Sequence, residues 1–104
     1  MAMPKTFWRG QASSGTWVTA VVPGDKLWVI TNIALTNTGS SDITAFVHLD
    51  GTPLVSGLLI KPQKLFALDV KQPLEAGKNL RVAFQGSGVM AGHVAGVEMN
   101  VDGS

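Results

Sequence analysis

A two-residue hydrophobic period runs through most of this chain and is interrupted about every ten residues by a turn signal, which commits the chain to strands before any motif is considered. Trp17 to Val22 is rich in β-branched residues. Lys26 to Thr36 sets Leu27, Val29, Ile33 and Leu35 on one face and Trp28, Ile30 and Ala34 on the other. Asp42 to Asp50, Pro53 to Ile60, Lys64 to Val70, Asn79 to Gln85 and Val89 to Met99 continue the alternation. Pro23-Gly24-Asp25, Asn37-Thr38-Gly39-Ser40, Asp50-Gly51, Lys61-Pro62-Gln63, Glu75-Ala76-Gly77-Lys78 and Gly86-Ser87-Gly88 separate these runs with residues that favour turns. Asp50-Gly51 is the sharpest signal, because both residue types tolerate the positive φ of a two-residue hairpin. No window carries a helical period of any length. The expected fold is all-β: a single small antiparallel β-sandwich, jelly-roll-like, of about seven to eight strands.

The runs at Leu27–Leu35 and Leu65–Val70 are apolar on both faces, and a strand of that kind is covered on both faces. In a two-layer sandwich the second cover comes from an arm or from another subunit. Composition points the same way. The chain has 104 residues, enough for one domain with one core, and only 14% of them are charged, against about 25% in typical soluble domains. Mean hydropathy is positive. The net charge of +1 offers no electrostatic footprint for nucleic acid or an anionic membrane. The densest apolar runs, Leu27–Ile30 and Leu58–Ile60, fall far short of the ~20 residues that span a bilayer. There is no cysteine, hence no disulfide, thiolate metal site or cysteine nucleophile. The first residues lack the apolar core of a secretion signal. The expectation is a protein made and kept in a cytoplasm, or one that leaves it without a signal, for instance on an assembled particle.

Residues 1–15 read differently from residues 16–104, which hold the sandwich. Gly10–Gly15 is linker-like, and Phe7, Trp8 and Arg9 in front of it are too bulky for a solvated tail. The expected organisation is an extended N-terminal arm. Phe7, Trp8 and Arg9 are its anchors, on its own sandwich or on a neighbour, with Met3 and Trp17 as further interface candidates.

Residues with catalytic chemistry are scarce. His48 and His93 each lack the two or three further ligands that a metal needs. Gly77-Lys78 follows no phosphate-loop glycine and precedes a strand. Gly86-Ser87-Gly88 is not a nucleophile elbow. No catalytic, cofactor-binding or metal-binding residue is assigned, and an enzyme is not expected. Lys61, Lys64 and Lys71 around Phe66, with Asp69 beside them, read as a solvated rim rather than an RNA-binding face. Three tryptophans without tyrosine, with Trp17 at the start of a strand, keep a sugar-binding face in view.

Four segments carry a resemblance. They are Val22-Pro23-Gly24-Asp25 through Ile30-Thr31-Asn32-Ile33-Ala34-Leu35-Thr36-Asn37, then Phe46-Val47-His48-Leu49-Asp50-Gly51, and last Pro73-Leu74-Glu75-Ala76-Gly77-Lys78-Asn79-Leu80-Arg81-Val82 with Gly92-His93-Val94-Ala95-Gly96-Val97-Glu98. Their order resembles small all-β accessory proteins of tailed-phage virions, found as capsid decoration (cement) proteins and as neck or tail appendages. It covers about residues 16–99 and leaves the arm outside. The resemblance implies a jelly-roll-like sandwich, often a homotrimer, without catalysis or cofactor. It would sit on the outer capsid surface of the virion, with the major capsid protein as partner. The alternative is a tail or neck appendage, or a host-adsorption module that binds surface glycans.

Overall fold

The computed structural model describes residues 3–101. Eight strands follow one another: β1 (Met3–Ala12), β2 (Val18–Val21), β3 (Lys26–Asn37), β4 (Ile43–Leu49), β5 (Thr52–Ile60), β6 (Leu65–Leu74), β7 (Asn79–Gln85) and β8 (Met90–Asn100). They form two four-stranded antiparallel sheets, ordered β1-β8-β3-β6 and β2-β7-β4-β5. The pairing has a simple origin. Strands β4 and β5, β3 and β6, β2 and β7, and β1 and β8 pair as successive rungs of one long hairpin. The hairpin is rolled so that β3 also pairs with β8 and β4 with β7. That is a jelly roll. Its tip is the Asp50-Gly51 turn, where both residues have positive φ (52° and 77°), as a two-residue hairpin of right-handed twist demands.

The two sheets close on a core of Ile30, Ile33, Leu35, Ile43, Val47, Leu80, Val82, Phe84, Met90 and Val94, all fully buried. The period-two faces of β4, β7 and β8 supply most of these residues directly. In β3 the register shifts between Ile30 and Asn32, and this bulge puts Trp28 and Ile30 on the core side together with Ile33 and Leu35 rather than opposite them, as the alternation alone predicts. One polar side chain is buried with them. Asn37, at the end of β3, donates through Nδ2 to the carbonyls of Ser41 (2.7 Å) and Ile60 (3.0 Å) and accepts at Oδ1 from the Gly39 amide (3.0 Å).

The N-terminal segment departs from expectation. The boundary placed between residues 15 and 16 does not separate an arm from the sandwich, because β1 is an edge strand paired with β8 from Met3↔Glu98 to Ala12↔Met90. The register shifts between Thr6 and Trp8, so Phe7 sits in a β-bulge. A bulge adds a residue to one strand and lets two consecutive side chains take the same side. Phe7 and Trp8 both turn inward. Phe7 stacks on Trp28 with ring centroids 4.2 Å apart at 15°. Trp8 lies over Gly92, where any Cβ would collide with its ring. The irregularity hides the strand period in the sequence.

Candidate functional site

The five residues expected at an interface take different places. Phe7 and Trp8 are half-buried and pack against the core of their own chain. Arg9 faces outward from the same sheet, its Nε donating to His93 Nδ1 at 3.4 Å across the β1–β8 pair. Met3, at the free end of β1, is 60% exposed. Trp17 lies apart from these four, on the other sheet.

Sheet β1-β8-β3-β6 has an outer face of unusual plainness. By alternation with the buried positions, its central strands turn Ala91, His93, Ala95, Val97 and Met99 outward from β8, and Leu27, Val29, Asn32, Ala34 and Thr36 from β3. None is an acid, a lysine or an arginine. Arg9 and the Asn32–Asp69 hydrogen bond of 3.1 Å add polar points toward the two sides. Past β6 the apolar surface continues round the sandwich edge. There Leu59 and Leu65 are 54% and 64% exposed, beside Leu58 and Phe66 in a shallow groove flanked by Lys61 and Lys64. One end of this sheet is tied by polar contacts. Glu98 accepts from Trp28 Nε1 at 2.9 Å and from Lys5 Nζ at 3.0 Å. The Trp28 hydrogen bond, followed by that of Lys5, holds its carboxyl below the ordinary carboxylate range.

The outer face of sheet β2-β7-β4-β5 is shaped instead. Trp17, just before β2, lies against His48 from β4, with ring centroids 4.7 Å apart at 51°. Phe46, two residues earlier on β4, is 6.5 Å from Trp17 at 60°. The Arg81 guanidinium from β7 rests on the Trp17 ring, 4.7 Å from its centroid. The pairs Arg81↔His48 and Ala83↔Phe46 of the β4–β7 register bring these side chains together. Beside them opens a cleft of about 310 Å³, lined by Gly15, Trp17, Phe46, His48, Pro53, Ser56, Ala83, Phe84 and Gln85. Sequence reasoning singled out Trp17 and put His48 on the Phe46 face. It missed Arg81, Ser56 and Gln85, which come from strands whose pairing no local pattern reveals. The two histidines stand on different sheets and share no site. Among the described residues no cluster of three or more His, Asp or Glu side chains has metal-binding geometry.

By sequence, no family model and no curated protein matches the chain. Solved structures do share its fold. The NLP core of Drosophila, described for its pentamer formation and histone binding, superposes with a TM-score of 0.57 at 17% identity over 91% of this chain and 99% of that one. A protein of the T13 viral particle of IBDV superposes with a TM-score of 0.58 at 11% identity over 99% of this chain and 32% of that one. At such identities the likeness is one of fold: an all-β sandwich of two antiparallel sheets.

Proposed function

We propose that this chain is a structural virion protein that decorates a tailed-phage capsid. It would bind the outside of the assembled shell as a homo-oligomer, with a trimer as the expected state, and stabilise it by mass action. The observation that carries the reading is the outer face of β1-β8-β3-β6, whose two central strands hold no acid, lysine or arginine at their outward positions. A face of this kind, on a chain poor in charge, suits contact with protein. Four strands of about ten residues give roughly 600 Å² of projected area, short of the ~800 Å² that one partner contributes to a standard interface. The contact therefore takes in the neighbouring edge at Leu59, Leu65 and Phe66. The resemblance to phage accessory proteins supports the reading. So does the company of the fold, since the two structures described above belong to assemblies of repeated copies, a pentamer and an icosahedral particle. The rings of Phe7 and Trp8 are engaged within their own chain, so arm exchange is not part of the mechanism.

The test combines light scattering on the purified chain with binding to expanded capsids that lack it. A homo-oligomer that saturates the shell at fixed stoichiometry and raises its melting temperature is expected. A monomer that leaves capsids unbound overturns the reading. A tail or neck appendage that binds host glycans is the second reading, favoured by the cleft beside Trp17.

A further inference from the structure

We infer that the Trp17 cleft is a binding site for an uncharged saccharide, one or two pyranose rings at the end or side of a longer glycan. The inference deepens the second reading above and rests on it in taking the cleft as a ligand site.

The lining sets the ligand class. Trp17 and Phe46 are set at 60° to each other and offer aromatic surface on two sides of the cleft. Ser56, Gln85 and His48 add a hydroxyl, an amide and an imidazole, all able to donate and accept. No acid, lysine or arginine lines it. Pyranoses match this combination, since their C–H faces pack on aromatic rings while their hydroxyls bond to neutral amphoteric groups. A volume of about 310 Å³ lies at the small end of ligand clefts, enough for a short glycan segment rather than a large cofactor.

Two other occupants fit less well. An apolar anchor from a protein partner would strip water from the Ser56, Gln85 and His48 groups without returning hydrogen bonds, at a cost for each. A peptide strand would need unpaired main chain, which among the lining strands only the edge strand β5 has; Ala83 and Phe46 belong to β7 and β4, which are paired on both sides.

Arg81 acts on this site without lining it. Its guanidinium rests on the Trp17 ring, and among the described residues it has no carboxylate partner. Together with His48 and Phe46 it fixes the angle of a ring that lies in the segment before β2. Arg81 is thus a positioning residue, and Trp17 is the contact.

The experiment titrates the full chain with neutral trisaccharides of glucose, galactose and N-acetylglucosamine and with a uronic-acid trisaccharide, each to about 10 mM, which reaches weak millimolar sites. Tryptophan fluorescence and ligand-observed NMR provide the readouts. The expected result is saturable binding of at least one neutral sugar. Trp17→Ala weakens it about tenfold or more, and Trp17→Phe weakens it less. Arg81→Met weakens it several-fold and broadens the Trp17 indole resonance, a sign of lost positioning that a purely structural role at a distance would not give. Thermal melts confirm that each variant is folded. Binding of the uronic-acid sugar as tight as or tighter than the neutral ones overturns the inference and leaves the cleft a glycan site. Absence of all binding overturns both the inference and the second reading. Capsid binding measured on the same variants keeps the decoration reading separate, since it is expected unchanged in Trp17→Ala.

Discussion

Replacing Asn37 by alanine is expected to cost this fold about 3 kcal/mol. The side chain is fully buried and makes three hydrogen bonds to main-chain groups: two donated to the Ser41 and Ile60 carbonyls, one accepted from the Gly39 amide. Its own backbone adds two more links, donating to Lys64 O at 3.1 Å and accepting from Gln63 N at 2.8 Å. The residue thus pins the β3–β4 turn, the end of β5 and the β5–β6 turn to one point. Each side-chain bond contributes about 1 kcal/mol net, and stranding the buried Ile60 carbonyl adds to the loss. For a domain of this size 3 kcal/mol lowers Tm by about 12–24 °C, and it removes a large share of a total stability of about 5–15 kcal/mol. Asn37→Asp is the sharper test. It keeps the shape but replaces the donating Nδ2 by an acceptor that faces two carbonyl oxygens, so at neutral pH it is expected to be less stable than Asn37→Ala. Urea unfolding followed by near-UV circular dichroism, with unchanged m-values, measures both. An alanine variant within about 0.5 kcal/mol of the parent, or an aspartate variant more stable than the alanine one, refutes the role assigned to Asn37.

Gly92→Ala places a methyl group where the Trp8 ring lies and close to Leu35, so a loss of about 1–3 kcal/mol is expected with a red shift of tryptophan emission; unchanged emission and stability would mean that Trp8 does not pack on its own chain. Glu98 titrates below its ordinary value of 4.5 in the fold, so its contribution is complete above that pH and fades as pH falls through the lower, folded-state value; Glu98→Gln should flatten this acid limb of the stability curve, and an unchanged limb counts against the Trp28 and Lys5 contacts. Ala95→Glu puts a charge in the centre of the plain face, where monomer stability is expected to change by less than about 0.5 kcal/mol while self-association and capsid binding are lost; retained capsid binding moves the interface elsewhere. Removing residues 1–12 deletes β1 and uncovers Trp28 and the β8 edge, so the truncated chain is expected to aggregate or unfold on a melting scan rather than to persist as a sandwich without its arm.

The regular part of the fold was legible because burial is alternate. Ile33, Leu35, Val47, Val82 and Val94 declare their strand and their face within a few residues of sequence, and Asp50-Gly51 declares the tip of the roll. The first strand was not legible for the same reason in reverse. The bulge at Phe7 sets Phe7 and Trp8 on one side, the period fails there, and a chain segment rich in Gly, Ser and Gln follows. Trp17 drew notice as an aromatic at a strand start, but its partners did not. Arg81 is 64 positions away from it, and only the β2–β7–β4 order brings Arg81, His48 and Phe46 beneath it. Strand order is a property of how the long hairpin rolls, and no local propensity encodes it.

The roll also explains why one small domain carries two surfaces of opposite character. In a jelly roll each sheet has one face in the core and one free. In β3 and β8 the free positions are filled by alanine, valine, leucine, methionine and threonine beside Asn32 and His93, so the outside is nearly as apolar as a core. In β4 and β7 the free positions carry Phe46, His48, Arg81 and Gln85, and the segment before β2 folds Trp17 over them, which makes a cleft. A broad, mainly apolar face gains free energy only when a comparably large protein surface covers it, whereas a cleft of this volume is filled by something of sugar size. If the first face is occupied by a shell and the second is left outward, docking on a particle and holding a glycan do not compete. Capsid-bound and free protein are then expected to bind saccharide with the same affinity. A capsid that blocks the Trp17 cleft would instead place the docking surface on β2-β7-β4-β5 and overturn the assignment of the two faces.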